Sequence, residues 1–305
     1  MQRQLNGVLI LDKPEDMSSA QLVTRIKSIT GAKKAGHTGT LDPFATGVMV
    51  CCLNQATRLA QFLLKGPKSY LATLRLGVET DTQDHTGSVT ARSETTGLTE
   101  TMVRDTLRSF VGEMDQLPPM FSALKHKGTP LYKLARKGKG VQKPPRRVEI
   151  ASIDILDIAL PDVRFAVSCS AGTYIRTLCA DIGNRLGCGG HLAALRRTAS
   201  CEFGIERAVT LEELSDIVES GRLEKVMVHM PDALPRMDKW VADGAVLEKI
   251  KYGRPLSQAD MGNESADTRQ IQVVDAGNRL HAIIGPSQTA GQYDYYCVFH
   301  NEDAE

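Results

Sequence analysis

The sequence predicts an α+β fold around an antiparallel or mixed sheet, with a separate small β-rich module at its C-terminal end. Three observations lead there. Helical and strand patterns alternate, yet several strand patterns follow one another directly, which argues against a doubly wound parallel sheet. Beyond PDALPRMD (231–238) the texture changes to short strand candidates, IQVVD, HAIIG and YYCVF, separated by Gly, Asn and Pro. The 305 residues, 42% of them hydrophobic, suffice for a large and a small domain at ~100–200 residues per domain. The expected boundaries are 1–235 for the main domain and 240–305 for the small module.

In chain order, GVLILDKP (7–14) reads as a buried strand stopped by Pro14. A helix follows, with Ser18 as cap, Gln21 as capping-box partner and Gly31 as terminator. Its apolar residues Leu22, Val23, Ile26 and Ile29 keep helical spacing. GVMVCCL (47–53) is a second buried strand and ATRLAQFLLK (56–65) a helix. SYLATLRLGVET (69–80) alternates like an antiparallel strand, and the polar 81–97 predicts an exposed loop or ragged hairpin. A helix around 99–111 follows. RVEIASIDILDIAL and VRFAVSCS (163–170) are strands, 172–187 is a helix between glycines, HLAALRRTASCEFG is strand-like, and TLEELSDIVESG (210–221) is a capped helix.

Composition excludes some classes of function. No apolar run approaches the roughly 18 residues of a membrane span. The VLIL stretch near the N-terminus is too short for a signal-peptide core. Seven cysteines, without a C-x-x-C pair, read as reduced, mostly buried thiols of a cytoplasmic protein. The net charge of +1 and 5% aromatic content do not by themselves suggest nucleic acid; the distribution of charge decides that.

The loop GHTGTLDPFATG (36–47) is built of turn formers, and a plain connection is the ordinary reading. It is long for that purpose, and long ordered loops tend to be functional. Asp42 precedes Pro43, which favours extended backbone there. A carboxylate so presented can act as nucleophile, general base or metal ligand. The metal option lacks partners: the loop adds only His37, and CGGH (188–191) has no second pair of matching spacing, so no metal is expected. No phosphate-binding glycine motif occurs.

Residues 125–147 hold Lys125, Lys127, Lys133, Arg136, Lys137, Lys139, Lys143, Arg146 and Arg147, with no acidic residue. A charge run is ordinarily a solvated face, but such asymmetry in a nearly neutral chain points to a phosphate backbone, and glycines at 128, 138 and 140 let the segment adapt. Arg176, at the start of a helix and flanked by Ile175, Thr177 and Leu178, reads either as a surface residue of an amphipathic helix or as a partly buried partner for a carboxylate. Tyr70 alone reads as a strand residue.

The ordered blocks GVLILDKPEDMSS, AGHTGTLDPFATGVMVCCLNQATRLAQFLL, KSYLATLRLGVETDTQDHTG, PPMFSALKHKGTPLYKLARKG, CSAGTYIRTLCADIGNRLGCGGHLAALRRTASCEFG and the TLEEL helix span roughly residues 6 to 215. Together they resemble the stand-alone tRNA pseudouridine-55 synthases of the TruB type. The resemblance implies the pseudouridine synthase fold, an α+β domain on a mixed, mainly antiparallel sheet, followed by a PUA-like RNA-binding module. It implies isomerisation of the T-loop uridine of tRNA after base flipping, without cofactor or metal, by a cytoplasmic monomer needing no protein partner.

Residue by residue, it makes Asp42 the catalytic aspartate, Arg176 its partner and Tyr70 the tyrosine that stacks on the target base and assists proton transfer. His37, Tyr174, Leu195 and Lys13 become substrate-binding residues, with Lys13 and Pro14 in the family's LDKP stretch in a supporting role. The basic segment, with Lys125, Lys133 and Arg136, becomes the clamp on the T-arm. Arg176 is expected to lower the pKa of Asp42. Ala171 departs from the family pattern, in which Lys often precedes GTYIR. Two other readings share the cleft: a tRNA-binding folding factor without turnover, and a guide-RNA-dependent synthase.

Overall fold

A computed structural model of the protein describes residues 5–262 and 269–300. Residues 263–268 and 301–305 of the expected C-terminal module lie outside the described residues.

Strands β1 (Gly7–Lys13) and β3 (Thr46–Leu53) pair antiparallel from Gly7↔Leu53 to Lys13↔Gly47. Both are apolar without alternation because both of their faces are covered. Between them, α1 (Ser19–Thr30) starts at a Ser18/Gln21 capping box and stops where Gly31 turns left-handed at φ 67°. Strand β2 (Ala35–His37) leads from it and pairs with β3.

The helix expected over 56–65 is instead a 3₁₀ segment (Asn54–Leu59) and one α-turn, α2 (Ala60–Leu63). Asn54 sits at φ 51° and its side-chain oxygen accepts from Lys33 N and Lys34 N. Thr57 Oγ1 donates to Asn54 O, so local side-chain bonds outcompete a regular helix start.

Strand β4 (Lys68–Leu76) alternates buried and open as expected, and β5 (Val78–Thr80) with β6 (Val89–Arg92) forms the ragged hairpin. Next come α3 (Glu100–Arg108), β7 (Gly112–Gln116), the two-residue strands β8 (Lys125–His126) and β9 (Thr129–Pro130), and α4 (Leu131–Ala135). Two long strands, β10 (Arg146–Ala159) and β11 (Asp162–Cys169), precede α5 (Ile175–Arg185) and β12 (Gly190–Ser200). Then follow β13 (Phe203–Gly204), α6 (Leu211–Glu219), α7 (Leu223–Val226) and β14 (Val228–His229).

The main sheet has the order β14-β1-β3-β12-β4-β11-β10-β7, with β2 and β13 at its sides. All of its ladders are antiparallel except β3–β12. That parallel seam is only two pairs long, Arg196↔Thr46 and Arg197↔Gly47. It joins the β1–β3 half to the β4–β11–β10 half and leaves the 38–45 loop above the junction. Gly47 is required there: at φ 102° a Cβ would lie 2.1 Å from Arg197 O. Gly183 lets α5 approach the following chain, since its Cβ would meet Gly189 C at 2.3 Å.

One core packs α1, α3, α5 and α6 on one face of the sheet, around Leu22, Val103, Phe165, Leu178 and Leu214. A second covers the other face of β1 and β3 with residues of a five-stranded sheet, β15 (Lys239–Val241), β16 (Leu256–Ser257), β17 (Ile271–Val274), β18 (Leu280–Pro286) and β19 (Gln292–Val298). Val274, Ile283, Cys297 and Phe299 reach into that shared core, and Gln55 exchanges hydrogen bonds with His300. The small sheet has its own core as well, around Trp240, Ile250 on α8 (Gly244–Lys251), and Ile284. No helix among the described residues is long and apolar enough to cross a membrane.

Candidate active site

The 38–46 loop is fixed by side chains that bond its backbone. Ser19 Oγ, at the start of α1, donates to Leu41 O and accepts from Leu41 N, both at 2.9 Å. Arg197 is 1% exposed and donates to Gly39 O at 3.0 Å and Val48 O at 2.6 Å. Lys13 Nζ donates to Pro14 O, Met17 O and Pro43 O at 2.7, 2.6 and 2.9 Å. A turn closes from Ala45 N to Asp42 O. Residues 41 and 43, on either side of Asp42, are therefore both anchored, and the carboxylate direction follows.

Asp42 faces Arg176 in a fork: Arg176 Nε lies 2.9 Å from Oδ2 and Nη2 lies 3.3 Å from Oδ1. Arg176 is 5% exposed and shared, because its Nη1 is 3.3 Å from Asp84 Oδ2. Its remaining donors go to Thr82 O and Phe121 O. Asp84 is itself buried, its Oδ1 accepting from Thr82 Oγ1, Thr86 N and Thr86 Oγ1 at 2.8, 3.0 and 2.6 Å. One cation therefore balances two carboxylates, and only Asp42 is partly open, with its side chain 34% exposed.

Arg176 does lower the Asp42 pKa, as expected, but a larger effect opposes it. Burial raises it above the ordinary carboxylate value, against the downward pull of Arg176, and Asp84 adds to the rise. Burial also pushes the Tyr70 phenol upward more than Arg197 pulls it down, so the hydroxyl keeps its proton at neutral pH. His37 is held neutral by burial, with Arg197 acting in the same direction, and its Nδ1 accepts from Gly39 N at 3.2 Å.

Tyr70, on β4 opposite Val167 of β11 and Arg197 of β12, is close enough to Asp42 to feel its charge. Tyr174 caps the start of α5, with the Arg146 guanidinium 4.5 Å from its ring centroid. Leu195 lines a cavity of about 300 Å³ with Phe44, Ala72, His85 and Arg196. The imidazole of His85 stands edge-on to Phe44, with centroids 4.9 Å apart. Lys125, Lys133 and Arg136 stand exposed on the segment whose root, through Phe121 O, touches Arg176.

Lys13, expected among the substrate-binding residues in a supporting role, is enclosed. It is 0% exposed, all three ammonium protons are taken by carbonyls, and burial lowers its pKa to about 8. The 81–97 stretch is mostly exposed, as expected, but it also delivers the buried Asp84. Sequence reasoning missed Asp84, Arg197 and Ser19. Asp84 left a trace, an Asp two residues before a Thr that it bonds in an Asx-type turn. Among the described residues, no group of three or more His, Cys, Asp or Glu could hold a metal ion.

The chain as a whole is similar to known proteins. Residues 27–175 fit the model of the TruB family pseudouridylate synthase N-terminal domain, and 176–235 that of the tRNA pseudouridylate synthase B C-terminal domain. The chain is 44% identical over 279 residues to tRNA pseudouridine synthase B of Geobacter sulfurreducens, covering 92% of this chain and 90% of that one. It is 42% identical over 304 residues to the protein of the same name from Syntrophotalea carbinolica, covering 97% and 99%. Among solved structures, a Cbf5-Nop10-Gar1 complex contains a chain matching with TM-score 0.74 and 29% identity, over 96% of this chain and 85% of that one.

Proposed function

The chain belongs to the TruB family of pseudouridylate synthases, and on that premise we propose how its residues act on RNA. The protein isomerises uridine to pseudouridine in tRNA. Its target in this reading is uridine 55 of the T-loop. The N1–C1′ bond breaks, the base turns, and a C5–C1′ bond forms, while C5 loses a proton and N1 gains one. The sequence of bonds is redox-neutral, so no cofactor is called for.

Asp42 is the reacting carboxylate, and the observation that carries this role is its fork with the buried Arg176, itself tied to Asp84. Partial desolvation makes the carboxylate more reactive than a hydrated one, and Arg176 keeps enough of it ionised. Tyr70 offers a flat face to the flipped base and a protonated hydroxyl near the reacting carbons. His37, Tyr174 and Leu195 line the nucleotide's place. Flipping costs ~a few kcal/mol, which the basic segment around Lys125, Lys133 and Arg136 offsets by gripping the T-arm backbone. Residues 1–235 form the catalytic domain and 240–305 a PUA-like RNA-binding module. The enzyme acts in the cytoplasm as a monomer, without guide RNA or protein partner.

Purified protein incubated with T-arm RNA alone should place pseudouridine at position 55, mapped by chemical modification and sequencing. Binding with steep salt dependence but no product would favour the folding-factor reading. Activity appearing only with an added guide RNA would overturn stand-alone action.

A further inference from the structure

Gln116, the last residue of β7, is 0% exposed and directs both ends of its amide at a single residue. Its Nε2 donates to Tyr174 O at 3.0 Å, and its Oε1 accepts from Tyr174 N at 2.7 Å. A primary amide in this position imitates a neighbouring strand. It holds Tyr174 extended, at φ −100° and ψ 111°, on the threshold of α5, where the Tyr174 side chain makes no capping bond. Arg146 holds the same residue from another side, stacked over the ring and donating to Gly172 O. Two residues further on, Arg176 reaches Asp42.

We propose that Gln116 is a positioning residue for the pseudouridylation, fixing Tyr174 for its nucleotide and, through the first turn of α5, the approach of Arg176 to Asp42. This rests on the reading given under Proposed function. Gln116 touches none of the reacting groups. Its side chain is the right one because a primary amide carries a donor and an acceptor on two adjacent atoms, spaced to meet the N–H and C=O of one residue. A carboxylate accepts only, whereas a carboxylic acid can again do both.

That difference supplies a test. Gln116→Glu preserves the shape, and burial raises the pKa of the new carboxyl. Its protonated form can donate to Tyr174 O, while its ionised form repels that carbonyl. Tritium release from C5-labelled T-arm RNA is measured for wild type, Gln116→Glu and Gln116→Leu from about pH 6 to about pH 9, a range chosen to bracket a raised carboxyl pKa. The expected kcat ratio of Gln116→Glu to wild type falls by about tenfold or more from the acid to the alkaline end. Gln116→Leu should be slow throughout. A merely structural hydrogen bond would lower the melting temperature without tying turnover to pH. A flat ratio, or folded Gln116→Leu with wild-type kcat, would overturn the role of Gln116. Wild type that releases no label would instead sink the reaction itself.

Discussion

The Asp42–Arg176–Asp84 cluster and the basic 125–147 segment both use charge, in opposite ways. In the cluster a single guanidinium, 5% exposed, serves two carboxylates at fixed distances. In the segment nine basic side chains face no acidic one within the stretch, and Lys125, Lys133 and Arg136 are open to water. Buried charges interact strongly but must be matched, because an unpaired one is costly. Exposed charges are individually weak and screened, so they act by number. The first arrangement suits chemistry at one atom, the second a grip on a polyanion.

The contrast can be broken most decisively at Asp42. Asp42→Asn should lower tritium release by at least about 10³-fold, as expected when the reacting carboxylate is removed. It should nevertheless melt no lower than wild type at neutral pH. The sign follows from linkage: a carboxyl whose pKa is raised on folding binds its proton more tightly in the native state, so its ionisation costs stability as pH rises. A variant with normal turnover would remove Asp42 from the mechanism.

Arg176→Ala leaves two carboxylates in the cluster without their cation. It should cost about 3–5 kcal/mol of stability, the range for breaking a buried pair from one side, read from denaturant unfolding. A loss within the range of a surface pair, below about 1 kcal/mol, would show that the cluster is not balanced as described.

Asp84→Asn removes a like charge from beside Asp42. Wild-type kcat should show an acid limb above 3.8, the ordinary Asp value. In the variant that limb should move to lower pH, since one of the two influences raising Asp42 is gone. A pH–rate profile of each protein decides it, and an unmoved limb contradicts the coupling. The smallest effect on chemistry belongs to the basic segment. Replacing Lys125, Lys133 and Arg136 by Ala should leave kcat nearly intact and weaken RNA binding. The plot of log affinity against log salt should become shallower by about 0.7–0.9 for each phosphate no longer neutralised.

Much of the molecule is legible in the chain. The apolar runs of β1 and β3, the alternation of β4, the Ser18/Gln21 box and the Asp42 loop all follow from local rules, because local geometry and burial periodicity are written into adjacent residues. Residues 56–65 depart from a regular helix where Thr57 bonds back to Asn54, and Asn54 is itself held by the backbone of Lys33 and Lys34, 21 and 20 residues away. Asp84 is hidden in a polar stretch, and the cation it meets when buried is Arg176 of α5, far later in the chain. The three carbonyls that enclose Lys13 come from residues 14, 17 and 43, and only folding brings the last of them to it.

Adjacent residues carry most of the element types, the position of the exceptional carboxylate, the basic segment and, through the ordered blocks, the family resemblance. Tertiary structure alone decided which charges meet. It placed Arg176 between Asp42 and Asp84, sent Gln116 to the backbone of Tyr174, and let burial outweigh an adjacent cation in setting the Asp42 pKa. Desolvation depends on everything packed around a group, and no run of neighbouring residues contains that information.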